Sequence, residues 1–150
     1  MVEIKVYIGS DHAGFELKEK LKPFLKKLKY TLVDLGAKTY NKLDDYPIYG
    51  EKVAKAVSKD KRSFGILICG SGQGICIAAN KVNGIRAALC ENVKDAFTSR
   101  NDDNANVLCL QGKGTSLTKT KSIVKKFLET EFSDEERHNR RINEIKKIEK

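Results

Sequence analysis

The apolar residues of this chain change their spacing in a regular order, and that alternation restricts the fold more than any other feature. Short runs with strand character, VEIKVYI (2–8), YTLVDL (30–35), SFGILIC (63–69), GIRAALC (84–90) and NVLCLQG (106–112), are separated by segments of helical period. The run SFGILIC is continuous and apolar, as a strand covered on both faces requires. Strand-helix alternation of this kind predicts an α/β sandwich with a five-stranded, mostly parallel sheet.

Phe15, Leu17, Leu21, Phe24, Leu25 and Leu28 recur at helical spacing after the first run, with Pro23 inside the pattern. A proline there is expected to kink the helix or to begin a new first turn. Further helices are expected over Ile48–Val57 behind Pro47, over 75–82, over 93–101 and over 116–129. Ser133-Asp134-Glu135-Glu136 has the form of a capping box. It opens a last amphipathic helix, about 134–149, carrying Ile142, Ile145 and Ile148. That helix lies beyond the final strand, so it packs on its own domain or across a second subunit.

A length of 150 residues suits one domain, 1–150, with one sizeable core. No apolar run reaches the roughly 20 residues of a membrane helix. The amino terminus reads as a strand and lacks the pattern of a signal peptide, so a cytoplasmic location is expected and no membrane partner. The net charge of +9 invites a nucleic-acid reading. Its lysines are nevertheless spread between helix-spaced apolar residues, as in KEKLKPFLKKLK, which describes a solvated helix face. No nucleic-acid motif accompanies them, whereas a small anionic substrate is served by the same charge.

The glycine loop in ILICGSGQGICIAANK (66–81) has the form G-x-G-x-G. This is not the dinucleotide spacing, and no Walker lysine pattern follows. What remains is a strand-to-helix turn with bare backbone N–H groups that favour an anion. Cys69 ends the strand before it, as a thiolate nucleophile or base or as a buried structural cysteine. Cys76, Cys90 and Cys109 read as core residues, with no zinc spacing and no disulfide framework. In an open parallel sheet, ligands bind beyond the carboxyl ends of the strands. The loops there are Ser10–Gly14, Cys69–Gly74 and Gly112–Thr115, which makes Asp11 and His12 candidates. Arg137 and Arg141 share a helix face, and their spacing alone fits an exposed pair matched to glutamates.

SDHAG after the first strand, DDYP at 44–47, the glycine-loop segment, GIRAAL, SR…NANVL and RHNRRI together resemble ribose-5-phosphate isomerase B. The wider family includes the galactose-6-phosphate isomerase subunits. The resemblance runs through nearly the whole chain in order. It implies a Rossmann-like α/β/α fold and a homodimer, sometimes a tetramer, with active sites between subunits. It also implies aldose–ketose isomerisation of ribose 5-phosphate and ribulose 5-phosphate through an enediolate, with no metal and no other cofactor.

On that resemblance Cys69 is the base. Gly70, Ser71, Gly72 and Gly74 surround the enediolate oxygens. Asp11, His12 and Tyr46 contact the sugar phosphate, and Arg137 and Arg141 bind the phosphate. The chain departs from the family at SRNDDNANV. Asp102 replaces the histidine credited with ring opening, and Asp103 replaces a substrate-contacting asparagine. Lys113 stands where many members carry a phosphate-binding arginine. These departures keep three routes to ring opening in view: Asp102, His12 or solvent. They also keep two alternatives in view, an isomerase of a six- or four-carbon sugar phosphate and a non-catalytic sugar-phosphate-binding module.

Overall fold

The computed structural model describes residues 3–149. Five strands, β1 (Lys5–Ser10), β2 (Thr31–Asp34), β3 (Ser63–Cys69), β4 (Ala87–Leu89) and β5 (Val107–Gln111), form one sheet in the order β2-β1-β3-β5-β4. Every neighbouring pair is parallel, so the sheet is wholly rather than mostly parallel. Six helices complete the described residues: α1 (His12–Lys27), α2 (Tyr46–Lys59), α3 (Gln73–Ala79), α4 (Val93–Asp103), α5 (Leu117–Glu129) and α6 (Glu136–Ile148).

Strand alternation divides the core in two. Ile66 and Ile68 of β3 point to one face, with Leu17, Leu21 and Leu25 of α1 and Val124 and Phe127 of α5. Leu67 and Cys69 point to the other, with Val53 and Val57 of α2 and Ile75 of α3. Burying each such aliphatic side chain is worth about 1.5–3 kcal/mol. The double coverage explains why SFGILIC is apolar at consecutive positions.

Several boundaries move from the expected ones. The first strand begins at Lys5, and Val2 lies outside the described residues. β4 is only three residues long, and side chains as well as backbone bind the residues where it begins. Asn106 Oδ1 accepts from Arg86 N at 2.8 Å, and Asn80 Oδ1 accepts from Ala87 N at 2.8 Å. α1 runs unbroken through Pro23, whose exposed ring sits between the buried Leu21 and Leu25. The capping box before α6 does not form. The cap position falls on Glu135 without a side-chain bond, and the Ser133 hydroxyl bonds His138 Nδ1 at 2.6 Å instead.

β1 and β3 are neighbours, and the chain leaves β1 toward β2 on one side and β3 toward β4 on the other. A crevice therefore opens beyond the carboxyl ends of β1 and β3. Among the described residues no helix is long and apolar enough to cross a membrane.

Candidate active site

Three loops meet at that crevice, held together by backbone. Asp11 N donates to Ile68 O at 3.4 Å, Gly112 N to Cys69 O at 2.8 Å, and Lys113 N to Gly70 O at 3.3 Å. Their approach depends on glycine. A Cβ on Gly14 would lie 2.5 Å from Ile68 O, and one on Gly112 would lie 2.7 Å from Ala13 O. The ends of β1, β3 and β5 consequently form one packed platform.

Cys69 closes β3 on the α3 side and is only 4 % exposed. Its Sγ accepts from Gly72 N at 3.2 Å, so the glycine loop folds back over the sulfur. Gly72 has φ 77°, and any side chain there would meet the Leu110 carbonyl at 2.9 Å. Gly74 supports the ring of Tyr46, whose Cζ would be 2.5 Å from an added Cβ. Gly70 faces open space, with Ala13 Cβ at an ordinary 3.5 Å. The Ser71 hydroxyl is exposed and accepts from Gln73 N at 3.2 Å, which shapes the turn. α3 is seven residues long, so the bare N–H groups of the loop matter more here than a helix dipole.

Asp11 caps α1, accepting from Gly14 N at 3.1 Å. Burial pushes its carboxyl up from the ordinary value. The Gly14 N–H and nearby His12 oppose that shift, while Asp44 adds to it. His12 is bound twice by one oxygen: Asp44 Oδ1 accepts from His12 N at 2.9 Å and lies 2.8 Å from His12 Nδ1. The motif DDYP thus contributes Asp44 as well as Tyr46. Its role was not legible in the sequence beyond its place in the motif, because the contact spans 32 positions.

A second residue the sequence does not disclose is Lys18. It is fully buried in α1 and reaches Asp34 Oδ1 and Oδ2 at 2.9 and 2.7 Å. Burial alone would raise the Asp34 pKa. Hydrogen bonds from Lys18, Lys22 and Gly36 N outweigh it and hold the carboxyl at about 2. Gly36 O in turn accepts from Ser10 N at 2.8 Å, so this buried ion pair anchors the turn that carries Asp11 and His12.

A cleft of about 550 Å³ lies over this turn, lined by His12, Phe15, Tyr40, Gly112, Lys113 and Thr115. Lys113 therefore joins His12 in the same chain. A larger cavity of about 650 Å³, lined in part by Arg86, Arg100 and Asn106, is remote from Cys69. Two of its arginines already serve the fold: Arg86 donates to the carbonyls of Asp103 and Asn104, and Arg100 to those of Ala105 and Thr130.

The remaining candidates lie elsewhere. α4 descends from the carboxyl end of β4 to the start of β5, so Asp102 and Asp103 sit at the amino-terminal edge of the sheet. One strand length, roughly 15–20 Å, separates that edge from Cys69. Arg86, just ahead of β4, binds the Asp103 carbonyl there. Asp102 Oδ1 accepts from Asn101 Nδ2 and lies 3.8 Å from His138 Nε2 on α6. Arg137 flanks that histidine, is exposed, and pairs with Glu135 at 3.3 Å. Arg141 is exposed and has no ion-pair partner among the described residues. One chain by itself does not bring Asp102, Asp103, Arg137 or Arg141 to Cys69.

The other three cysteines behave as core residues. Cys109 is fully buried and its thiol is pushed well up. Cys90 is pushed up to about 11 by burial, and half-buried Cys76 is lowered by its hydrogen bond with Cys109. One group among the described residues could hold a metal: Asp11, His12 and Asp44, with ligand atoms within 4.8 Å of one another. Two of its members, His12 and Asp44, are already in contact through Nδ1 and Oδ1 at 2.8 Å.

Comparison with known proteins gives the family and the fold. Residues 6–145 match the family model described as Ribose/Galactose Isomerase. Ribose-5-phosphate isomerase B of Mycobacterium tuberculosis is 38 % identical over 150 residues, covering all of this chain and 93 % of that protein. The Clostridium thermocellum ribose-5-phosphate isomerase B structure superposes with a TM-score of 0.92 at 45 % identity, covering 96 % of each chain. The Mycoplasma genitalium enzyme, solved with bound ribulose-5-phosphate, superposes with a TM-score of 0.94 at 41 % identity, covering 99 % of this chain and 97 % of that one.

Proposed function

The chain belongs to the ribose/galactose isomerase family, and from that premise we propose that it interconverts ribose 5-phosphate and ribulose 5-phosphate. The observation that carries this reading is a buried thiol beneath a bare glycine loop, beside a cleft lined by His12 and Lys113. The family resemblance of the motifs and the solved relative with bound ribulose-5-phosphate support it.

In the proposed reaction Cys69, as thiolate, takes the C2 proton of the open-chain aldose, the O2 hydroxyl proton passes to O1 in the intermediate, and the Cys69 thiol returns a proton to C1. The intermediate enediolate carries negative charge on its oxygens. Fixed backbone N–H groups of 70–74 stabilise that charge without reorganising during the step. Lys113 offers a cation to the phosphate in the His12 cleft. Asp102, Asp103, Arg137 and Arg141 complete the site from a second subunit, since all four stand at the other edge of the sheet. The isoleucines of α6 support the pairing: Ile142 is buried, whereas Ile145 and Ile148 remain 40 % and 77 % exposed.

The test is ketose formation from ribose 5-phosphate by wild type and Cys69→Ala. Loss of a positioned proton-transfer group is expected to lower kcat by about 10²–10⁴-fold. Full activity in the variant would remove Cys69 from the mechanism, and no turnover of any five- or six-carbon aldose phosphate would sink the isomerase reading. The carboxylates at 102 and 103 motivate a second reading, a preference for a six-carbon sugar phosphate, which comparison of kcat/KM across the sugars decides.

A further inference from the structure

Aldopentose 5-phosphates are cyclic in water, and the C2 proton becomes acidic only when C1 is a carbonyl. Ring opening therefore needs a group that takes a proton from the C1 hydroxyl and supplies one to the ring oxygen. An imidazole with one free nitrogen does both. Among the described residues only His12 presents an imidazole to the cleft, because His138 is buried on α6 and bonded to Ser133.

The chain holds that imidazole in a defined state. Asp44 Oδ1 accepts from the His12 backbone N–H, so it is an acceptor toward Nδ1 as well, and Nδ1 carries the proton. In the neutral ring Nε2 is then the nitrogen with a lone pair, and it has no partner among the described residues. The Asp44 side chain is 6 % exposed and the His12 side chain 31 % exposed. The carboxylate is thus shielded while the ring meets solvent. Asp44 Oδ2 is one of two buried side-chain atoms left without a partner among the described residues, the other being Ser10 Oγ at the same turn. Asp102, by contrast, lies at the far edge of the sheet and bonds Asn101.

We propose that Asp44 is a positioning residue that orients His12 as the ring-opening group, an inference that rests on the isomerase reading above. Nε2 takes the proton of the O1 hydroxyl. The C1–O4 bond breaks as C1=O1 forms, and its electron pair stays on O4. Nε2–H then gives that same proton to O4, so the step consumes no external acid or base. The Asp44 carboxylate stabilises the transient imidazolium and fixes the tautomer, the part an aspartate plays in a Ser-His-Asp triad.

Ribulose 5-phosphate is already open-chain, so exchange of its C1 hydrogen with deuterated solvent reports enolisation apart from ring chemistry. Asp44→Asn and His12→Gln are each expected to lower conversion between the two sugars about 100-fold in both directions, while C1 exchange at saturating ribulose 5-phosphate falls at least about tenfold less than conversion does. Asp44→Glu is expected to restore part of the conversion. The ¹⁵N spectrum of the His12 ring should show Nδ1 protonated in wild type and lose that preference in Asp44→Asn. Conversion and exchange falling together, neither falling, or an unchanged tautomer in Asp44→Asn would each overturn the inference. Absence of ribulose 5-phosphate formation by wild type would instead overturn the isomerase reading.

Discussion

Lys18 shows how far one residue's effect reaches. Its ammonium is fully buried in α1 against Asp34, and Asp34 holds the Gly36 turn against Ser10. Lys18→Met is expected to destabilise the fold by about 3 kcal/mol, the low end for breaking a buried pair, because Lys22 still contacts Asp34 at 2.9 Å. Urea unfolding measures it. The Asp34 carboxyl, held at about 2 against an ordinary 3.8, stabilises the fold fully above pH 3.8. That contribution, on the order of 2 kcal/mol, disappears as pH falls from about 4 to about 2. Asp34→Asn should therefore flatten the acid limb of stability plotted against pH. Gly74→Ala should displace the Tyr46 ring and impair turnover, whereas Gly70→Ala should fold normally, since its Cβ meets only Ala13. Thermal melts and kcat for the pair distinguish a crowded glycine from a free one.

At the scale of elements, periodicity decided what was legible. SFGILIC emerged with the expected bounds because both its faces are buried and its apolar run has no gap. Pro23 does not end the helix: the local rule weighs one lost hydrogen bond and omits tertiary packing. Leu17, Leu21 and Leu25 bury one continuous face, which outweighs a proline cost of about 3 kcal/mol. Pro23→Ala is accordingly expected to stabilise the chain by about 1–3 kcal/mol, raising Tm by several degrees. The capping box before α6 failed for a similar reason. The Ser133 hydroxyl has a competing partner in His138, a residue the helix itself brings within reach.

For the whole molecule, the strand order separates what the motif list had gathered. Asp11, His12, Tyr46, Cys69, the glycine loop and Lys113 were recoverable because all lie beyond strand carboxyl ends or touch the loops there. The place of Asp102, Asp103, Arg137 and Arg141 at the other edge was hidden, since it depends on how α4 and α6 cross the sheet. In the proposed dimer, Cys69→Ala and Arg137→Ala subunits, each impaired alone, should complement when co-expressed. Statistical pairing in a two-fold dimer would recover roughly a quarter of the wild-type rate. No recovery would place both residues in one subunit's site. Sedimentation at micromolar concentration should show dimers, and a monomer alone would contradict the shared site.

The separation of the two edges also bears on how much enzyme a given amount of chain represents. When a site needs both edges and each chain holds them a strand length apart, an isolated protomer has no complete site. Specific activity should then fall on dilution, with total rate approaching a second-order dependence on chain concentration below the dissociation constant. Newly made chains would contribute nothing to flux until they met a partner.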